Sequence, residues 1–114
     1  MPQLLHIDSS ADLGSSRTRA LTAAFAAAWR ARDGHTIATR DLVRTPVPHL
    51  ESAAQHWPDA PGAHEQASEA AWRIQRELLD ELLASDVLVV GAPMYNYSMP
   101  SVLKAWVDHI HIPG

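Results

Sequence analysis

The sequence predicts an α/β protein built on a parallel sheet of strand order 2-1-3. Three observations carry that prediction. Short apolar, strand-like segments stand at residues 3–8, 35–42 and 87–90; helical periodicity fills stretches between and after them; and the period changes wherever one kind gives way to the other. Alternating elements of this kind form βαβ units with right-handed crossovers, and a central first strand yields the order 2-1-3. The 114 residues, 46% hydrophobic and 19% charged, suit one domain with a modest core.

Residues 3–8 (QLLHID) form the first strand, which ends where Ser9, Ser10 and Gly14 open a turn-rich segment. From about Ser16 the period becomes helical, and Leu21, Ala24, Phe25, Ala28 and Trp29 define the apolar face of an alanine-rich helix. Asp33-Gly34 closes that helix, with Arg30 and Arg32 near its end where the dipole favours positive charge. Residues 35–42 (HTIATRDL) read as a second strand of weaker alternation. Residues 45–63 lack periodicity and hold Pro46, Pro48, Pro58 and Pro61, half of the eight prolines, which marks a functional or mobile loop. Trp57 within it is expected to be a hydrophobic anchor for the loop rather than a stacking residue at a dimer interface. Ala71, Trp72, Leu78, Leu79, Leu82 and Leu83 mark a second amphipathic helix ending near Ser85. Val87-Leu88-Val89-Val90 is apolar without alternation, the pattern of a strand buried on both faces. Pro100 starts a third helix from a favoured first-turn position, and Leu103, Trp106, Val107 and Ile110 form its apolar stripe.

Several function classes are disfavoured. Nine Lys and Arg against thirteen Asp and Glu give a net charge of −4, opposite to the balance of a nucleic-acid binder. The absence of cysteine removes disulfides, iron–sulfur clusters, thiolate zinc sites and a cysteine nucleophile. The seven histidines are scattered, and His109 and His111, two apart, point to different helix faces, so no metal site is expected. No Gly-x-Ser-x-Gly motif supports a serine hydrolase. No apolar run approaches bilayer-spanning length, and the N-terminus lacks the features of a secretory signal, so a cytoplasmic protein without membrane attachment is expected.

In an open parallel sheet of this order, ligands sit beyond the carboxyl ends of the strands, at the switch between the first and third. That rule brings together residues 9–18 and 93–99. The first segment places the hydroxyls of Ser10, Ser16 and Thr18 around a strand-to-helix turn. Unpaired backbone N–H groups and the helix dipole at such a turn suit a phosphate dianion, and Arg17 supplies a charge. The same hydroxyls also suit ordinary helix capping, so this segment alone leaves both readings open. It is neither a Walker loop nor a dinucleotide fingerprint, because no Gly-Lys-Ser/Thr follows and Gly14 is its sole glycine. The second segment offers aromatic surface from Tyr95 and Tyr97, a thioether from Met94 and an amide from Asn96. That set suits a planar heterocycle whose edge alternates donors and acceptors.

Ser10 followed by Ser16-Arg17-Thr18 resembles the phosphate loop of the FMN-dependent azoreductases and related NAD(P)H quinone reductases of the flavodoxin-like superfamily. Ala92-Pro93-Met94-Tyr95-Asn96-Tyr97, continuing through Pro100-Ser101 to Leu103-Lys104-Ala105-Trp106, is similar to that family's flavin-ring loop and following helix. Arg40-Asp41-Leu42 with Pro46 and Pro48 looks like its second strand and exit. The resemblance implies a flavodoxin-like, doubly wound parallel sheet, with residues 1–114 as one FMN-binding domain truncated at its C-terminus, the remaining strands being absent. It implies that Ser10, Ser16, Arg17 and Thr18 hold the FMN phosphate, and that Met94, Tyr95, Asn96 and Tyr97 contact the ring and ribityl chain. The family usually has Phe where Tyr97 stands. The implied function is two-electron transfer from NADH or NADPH through FMN to a quinone or azo acceptor, in a homodimer, with no acid, base or nucleophile assigned. The alternatives are a flavin-binding electron carrier or flavin reductase of the same fold, or an inactive fragment.

Overall fold

The computed structural model describes residues 2–112. Strands β1 (Gln3–Asp8), β2 (Thr36–Asp41) and β3 (Val87–Gly91) pair in parallel in the order β2-β1-β3, as the alternation of elements predicts. Helices α1 (Arg17–Arg30), α2 (Glu69–Leu83) and α3 (Ser101–Ile110) complete the layers, with Pro100 standing as the N-cap of α3, one place before the first helical position. The register sets Asp8 opposite Asp41 on one side and Gly91 on the other.

The period of two along β1 divides the molecule. Leu5 and Ile7 join Leu42, Val47, Leu78, Leu103, Ala105 and Trp106 in the principal core, under α2 and α3. Leu4, His6 and Asp8 face the other way, toward α1. Arg40 and Asp41 repeat this division at the end of β2. Arg40 reaches α2, where its Nε donates to Glu81 Oε1 at 2.8 Å, and Asp41 reaches Arg19 of α1.

The apolar stripe expected on α1 is not buried; its Leu21 and Phe25 border an open cleft against Val89 and Val90 of β3. Leu21 is 71% exposed and Phe25 43%, Ala24 and Ala28 are exposed too, and the buried residues are Thr22 and Ala26. Two causes act: nothing among the described residues covers the outer edge of β3 beside that cleft, and β1 is polar where the helix meets it. On this side β1 presents His6 and Asp8, so the helix turns a hydroxyl inward, and Thr22 Oγ1 donates to Asp8 Oδ1 at 2.7 Å. Of the expected stripe only Trp29 turns partly inward, its indole Nε1 donating to the Thr36 carbonyl at 2.8 Å.

Two further expectations are corrected. Val87 and Leu88 are exposed rather than buried, because nothing among the described residues pairs with the outer edge of β3. Trp57 is 55% exposed and does not anchor the proline-rich segment. Buried polar contacts do so instead. Gln55 Oε1 accepts from the Glu51 N–H at 2.8 Å, Gln75 Nε2 donates to the Gln55 carbonyl at 2.7 Å, and His109 Nε2 donates to the Pro48 carbonyl at 2.6 Å. The segment also contains one short 3₁₀ turn (Ala53–His56) and leads into a second (Ala63–Gln66), neither marked by any periodicity.

Gly91 sits where α1 approaches the sheet closely. A Cβ there would lie 2.9 Å from Asp8 Oδ1 and 3.1 Å from Thr22 Cγ2, whereas a Cβ on Gly14 would meet nothing within 4 Å. Gly91→Ala is therefore expected to destabilise the fold by about 1–3 kcal/mol through overpacking, and Gly14→Ala to stay within about 0.5 kcal/mol of the parent. Urea unfolding of both variants checks the contrast.

Candidate cofactor site

The chain leaves β1 through Ser9, whose Oγ donates to the Gly91 carbonyl at 2.6 Å and ties the two strand exits together. Ser10 is buried, and its Oγ accepts from the Asp12 N–H at 3.2 Å. Asp12 Oδ1 then accepts from the N–H groups of Gly14 at 3.1 Å and Ser15 at 2.9 Å, a side chain standing in for a backbone turn. Ser16 caps α1: its Oγ accepts from the Arg19 N–H at 3.2 Å and lies 3.0 Å from Thr18 Oγ1. This leaves the N–H groups of Arg17 and Thr18 at the positive end of the helix with no partner among the described residues. The Arg17 side chain is exposed.

One residue that the sequence reading missed organises this turn. Arg19 Nε and Nη2 both donate to the Ser10 carbonyl, at 3.1 and 2.7 Å, while Nη1 and Nη2 grip Asp41 at 2.6 and 3.0 Å. The Arg19 guanidinium holds the Asp41 carboxyl well below its ordinary value of 3.8, at about 2, with further help from the Arg44 and Val43 N–H groups. Hydrogen bonding to Asp41 in turn raises the Arg19 pKa. Asp8 Oδ2 lies 3.9 Å from the same guanidinium and 2.9 Å from His6 Nε2, the latter without the alignment of a hydrogen bond. The signal for Arg19 was present: two adjacent parallel strands ending in carboxylates need a cation between them.

The second segment is a tight turn. The Tyr95 N–H donates to the Ser98 carbonyl at 2.7 Å, and the Ser98 N–H to the Tyr95 carbonyl at 2.9 Å. Asn96 (φ 50°) and Tyr97 (φ 64°) between them are both left-handed, the pattern of a type I′ hairpin turn. Asparagine suits the first of these positions. Tyrosine does not suit the second, where glycine is preferred, and the strain holds a ring that is 97% exposed. Tyr95 Oη accepts from the Ala11 N–H at 3.0 Å, so the aromatic turn is fastened to the first turn.

The structure thus brings the two segments into contact, but not every candidate side chain into one cavity. Tyr95 and Asn96 line an open cleft of about 580 Å³ that continues along His49, Lys104 and Asp108. Thr18 lines another of about 390 Å³ between α1 and β3, with Leu21, Phe25 and Gly91. Ser10, Ser16, Arg17, Met94 and Tyr97 line neither of these two clefts.

The fold and these turns define an α/β protein with a helix end that carries free N–H groups and an aromatic turn side by side at the carboxyl edge of a parallel sheet. The chain belongs to the flavodoxin-like fold family, whose sequence profile matches residues 2–114. It is 57% identical over 118 residues to an FMN-dependent NADH:quinone oxidoreductase of Kineococcus radiotolerans, a match covering 100% of this chain and 55% of the relative. It is 44% identical over 112 residues to FMN-dependent NADH:quinone oxidoreductase 2 of Pseudomonas fluorescens, covering 96% and 56%. Among solved structures, an azoreductase from Bacillus anthracis superposes with a TM-score of 0.81 at 22% identity, over 100% of this chain and 57% of the other, a likeness of fold. The chain spans little more than half the length of these relatives.

The lowered Asp41 pKa has a pH consequence. Because its value in the fold, about 2, lies below the ordinary 3.8, the stability it supplies is complete above that ordinary value and is lost as pH falls through about 2. Asp41→Asn is expected to be less stable at neutral pH by up to about 2 kcal/mol, and to lose less on acidification than the parent. Urea unfolding of both proteins from neutral pH to about pH 2 measures the difference.

Proposed function

We propose that residues 1–114 form the FMN-binding part of an oxidoreductase that passes two electrons from NADH or NADPH to a quinone or azo acceptor. The observation that carries this reading is the 3.0 Å bond between Tyr95 Oη and the Ala11 N–H. It fastens a surface suited to a flat ring beside a turn suited to a phosphate. The donor set fits the cofactor. The free N–H groups of Arg17 and Thr18, the hydroxyls of Ser16 and Thr18 and the α1 dipole match a phosphomonoester dianion, and Ser10 shapes the turn beneath it. Met94, Tyr95, Asn96 and Tyr97 are all exposed and available to a ring and its ribityl chain.

When bound, FMN supplies the electron transfer; the protein binds it, orients it and limits water around it. The exposed Arg17 side chain would add positive charge near the phosphate. Asn96 offers an amide that both donates and accepts, and Tyr97 offers the face or edge of its ring. No side chain is assigned as acid, base or nucleophile. The printed names of the relatives, NADH:quinone oxidoreductases dependent on FMN, support the same donor, cofactor and acceptor. A homodimer in the cytoplasm completes the proposal.

Ser16→Asp tests the phosphate assignment. Aspartate keeps a capping oxygen for the Arg19 N–H, so α1 is retained, but it sets a carboxylate where the dianion would lie. FMN affinity is expected to fall about tenfold to a hundredfold while riboflavin, which lacks the phosphate, changes little. Flavin fluorescence titration reads both, and equal losses would remove Ser16 from the site. Tyr97→Gly tests the ring assignment from the opposite side. Relieving the left-handed strain is expected to raise stability by about 1 kcal/mol, while FMN and riboflavin affinity both fall. Thermal unfolding alongside the titration separates the two effects.

A further inference from the structure

We propose that Arg19 is a positioning residue that holds the phosphate-binding turn in its receptive shape without touching the ligand. The inference deepens the FMN reading above and rests on it. The Arg19 side chain is 14% exposed, and its guanidinium is almost wholly committed. Nε and Nη2 converge on the Ser10 carbonyl at 3.1 and 2.7 Å, and Nη2 and Nη1 take the two oxygens of Asp41 at 3.0 and 2.6 Å. Of five N–H donors one is left, on Nη1, and that nitrogen faces Asp8 Oδ2 at 3.9 Å. The single uncommitted donor of Arg19 is thus turned toward Asp8, and the rest of the guanidinium is already taken up by Ser10 and Asp41. Its effect passes through Ser10.

The other end of the clamp is fixed as firmly. Asp41 Oδ1 also accepts from the N–H groups of Val43 at 3.1 Å and Arg44 at 3.3 Å, so the carboxylate cannot swing with its partner. β2 thereby sets the guanidinium, the guanidinium sets the Ser10 carbonyl, and Ser10 Oγ sets the Asp12 N–H and the turn that leads to the free N–H groups of Arg17 and Thr18. A carbonyl turned toward Arg19 is also a carbonyl turned away from an incoming anion. Two parallel donors on one oxygen plus a bidentate grip require the planar fork, which lysine cannot reproduce.

The test compares Arg19→Lys with the parent chain, titrating FMN and riboflavin by flavin fluorescence and following urea unfolding in parallel. The parent is expected to prefer FMN. Arg19→Lys is expected to lose about tenfold in FMN affinity, with riboflavin affinity within about twofold, so the preference for the phosphorylated ligand collapses. Inorganic phosphate, added as a second probe, is expected to raise the thermal midpoint of the parent more than that of the variant. If Arg19→Lys fails to fold, Asp41→Asn carries the same titration, since it keeps one side-chain oxygen and weakens the grip on the guanidinium. Equal losses for both flavins, or an unchanged FMN preference in a folded variant, would overturn the role of Arg19 alone. A parent that binds FMN no better than riboflavin would overturn the phosphate site itself, and the role of Arg19 with it. If neither variant folds, Arg19 is a determinant of folding and the positioning assignment falls.

Discussion

The arrangement of the whole carboxyl edge follows from two carboxylates in register. Parallel pairing of β1 and β2 sets Asp8 directly opposite Asp41, on the same face of the sheet. Like charges opposite one another destabilise a sheet, and burial makes the conflict worse. The chain resolves it with a hydroxyl from Thr22 and a guanidinium from Arg19. Thr22 and Arg19 stand one turn apart on α1, so satisfying the carboxylates fixes where that helix begins and how deeply it sits. Gly91, the next residue in the same row, leaves the space that this approach needs.

The two faces of the sheet are consequently held by different forces. Beneath α2 and α3, burial of Leu5, Ile7, Leu78, Leu103 and Trp106 removes a large apolar area from water. Beneath α1, the buried groups are Leu4, Ala26 and a set of polar side chains whose hydrogen bonds replace those made to water in the unfolded chain. Such bonds yield a small net gain but confer direction. Direction is what a binding turn requires. The polar face therefore lies where the candidate binding turn starts, and the apolar face carries most of the cohesion.

The strands, their order and the meeting of the two candidate turns were legible because they depend on short-range pattern: apolar runs, a change of period, and turn residues at the strand exits. The face of α1 was not legible. In an alanine-rich helix several stripes are nearly equivalent, and the choice among them depends on packing against Asp8 of β1 and on the open edge of β3, neither of which a helical period records. The 3₁₀ turns of the proline-rich segment have too few residues to show a period, and their anchors, Gln75 and His109, come from helices much later in the chain. The candidate turns were visible as residue types, yet their coupling through Tyr95 was not, because it spans 84 residues, and the clamp on Ser10 was not, because it depends on where Asp41 of β2 comes to lie. For Ser16 the structure shows capping, one of the two roles that its residue type left open.

The unequal character of the two faces also governs how the molecule loosens. An apolar layer weakens on cooling, because hydration of apolar surface becomes less unfavourable. A layer held by ion pairs and hydrogen bonds answers instead to dissolved salt, which screens charges near the surface. Release of α1 alone would expose little apolar area, and so would carry a small heat-capacity change and a shallow dependence on denaturant. Amide protons of α1 would then exchange through a local opening, separately from those of β1, whose Leu5 and Ile7 are protected until the whole core is lost. The element that begins at the candidate binding turn is thus also the one most able to move without unfolding the rest.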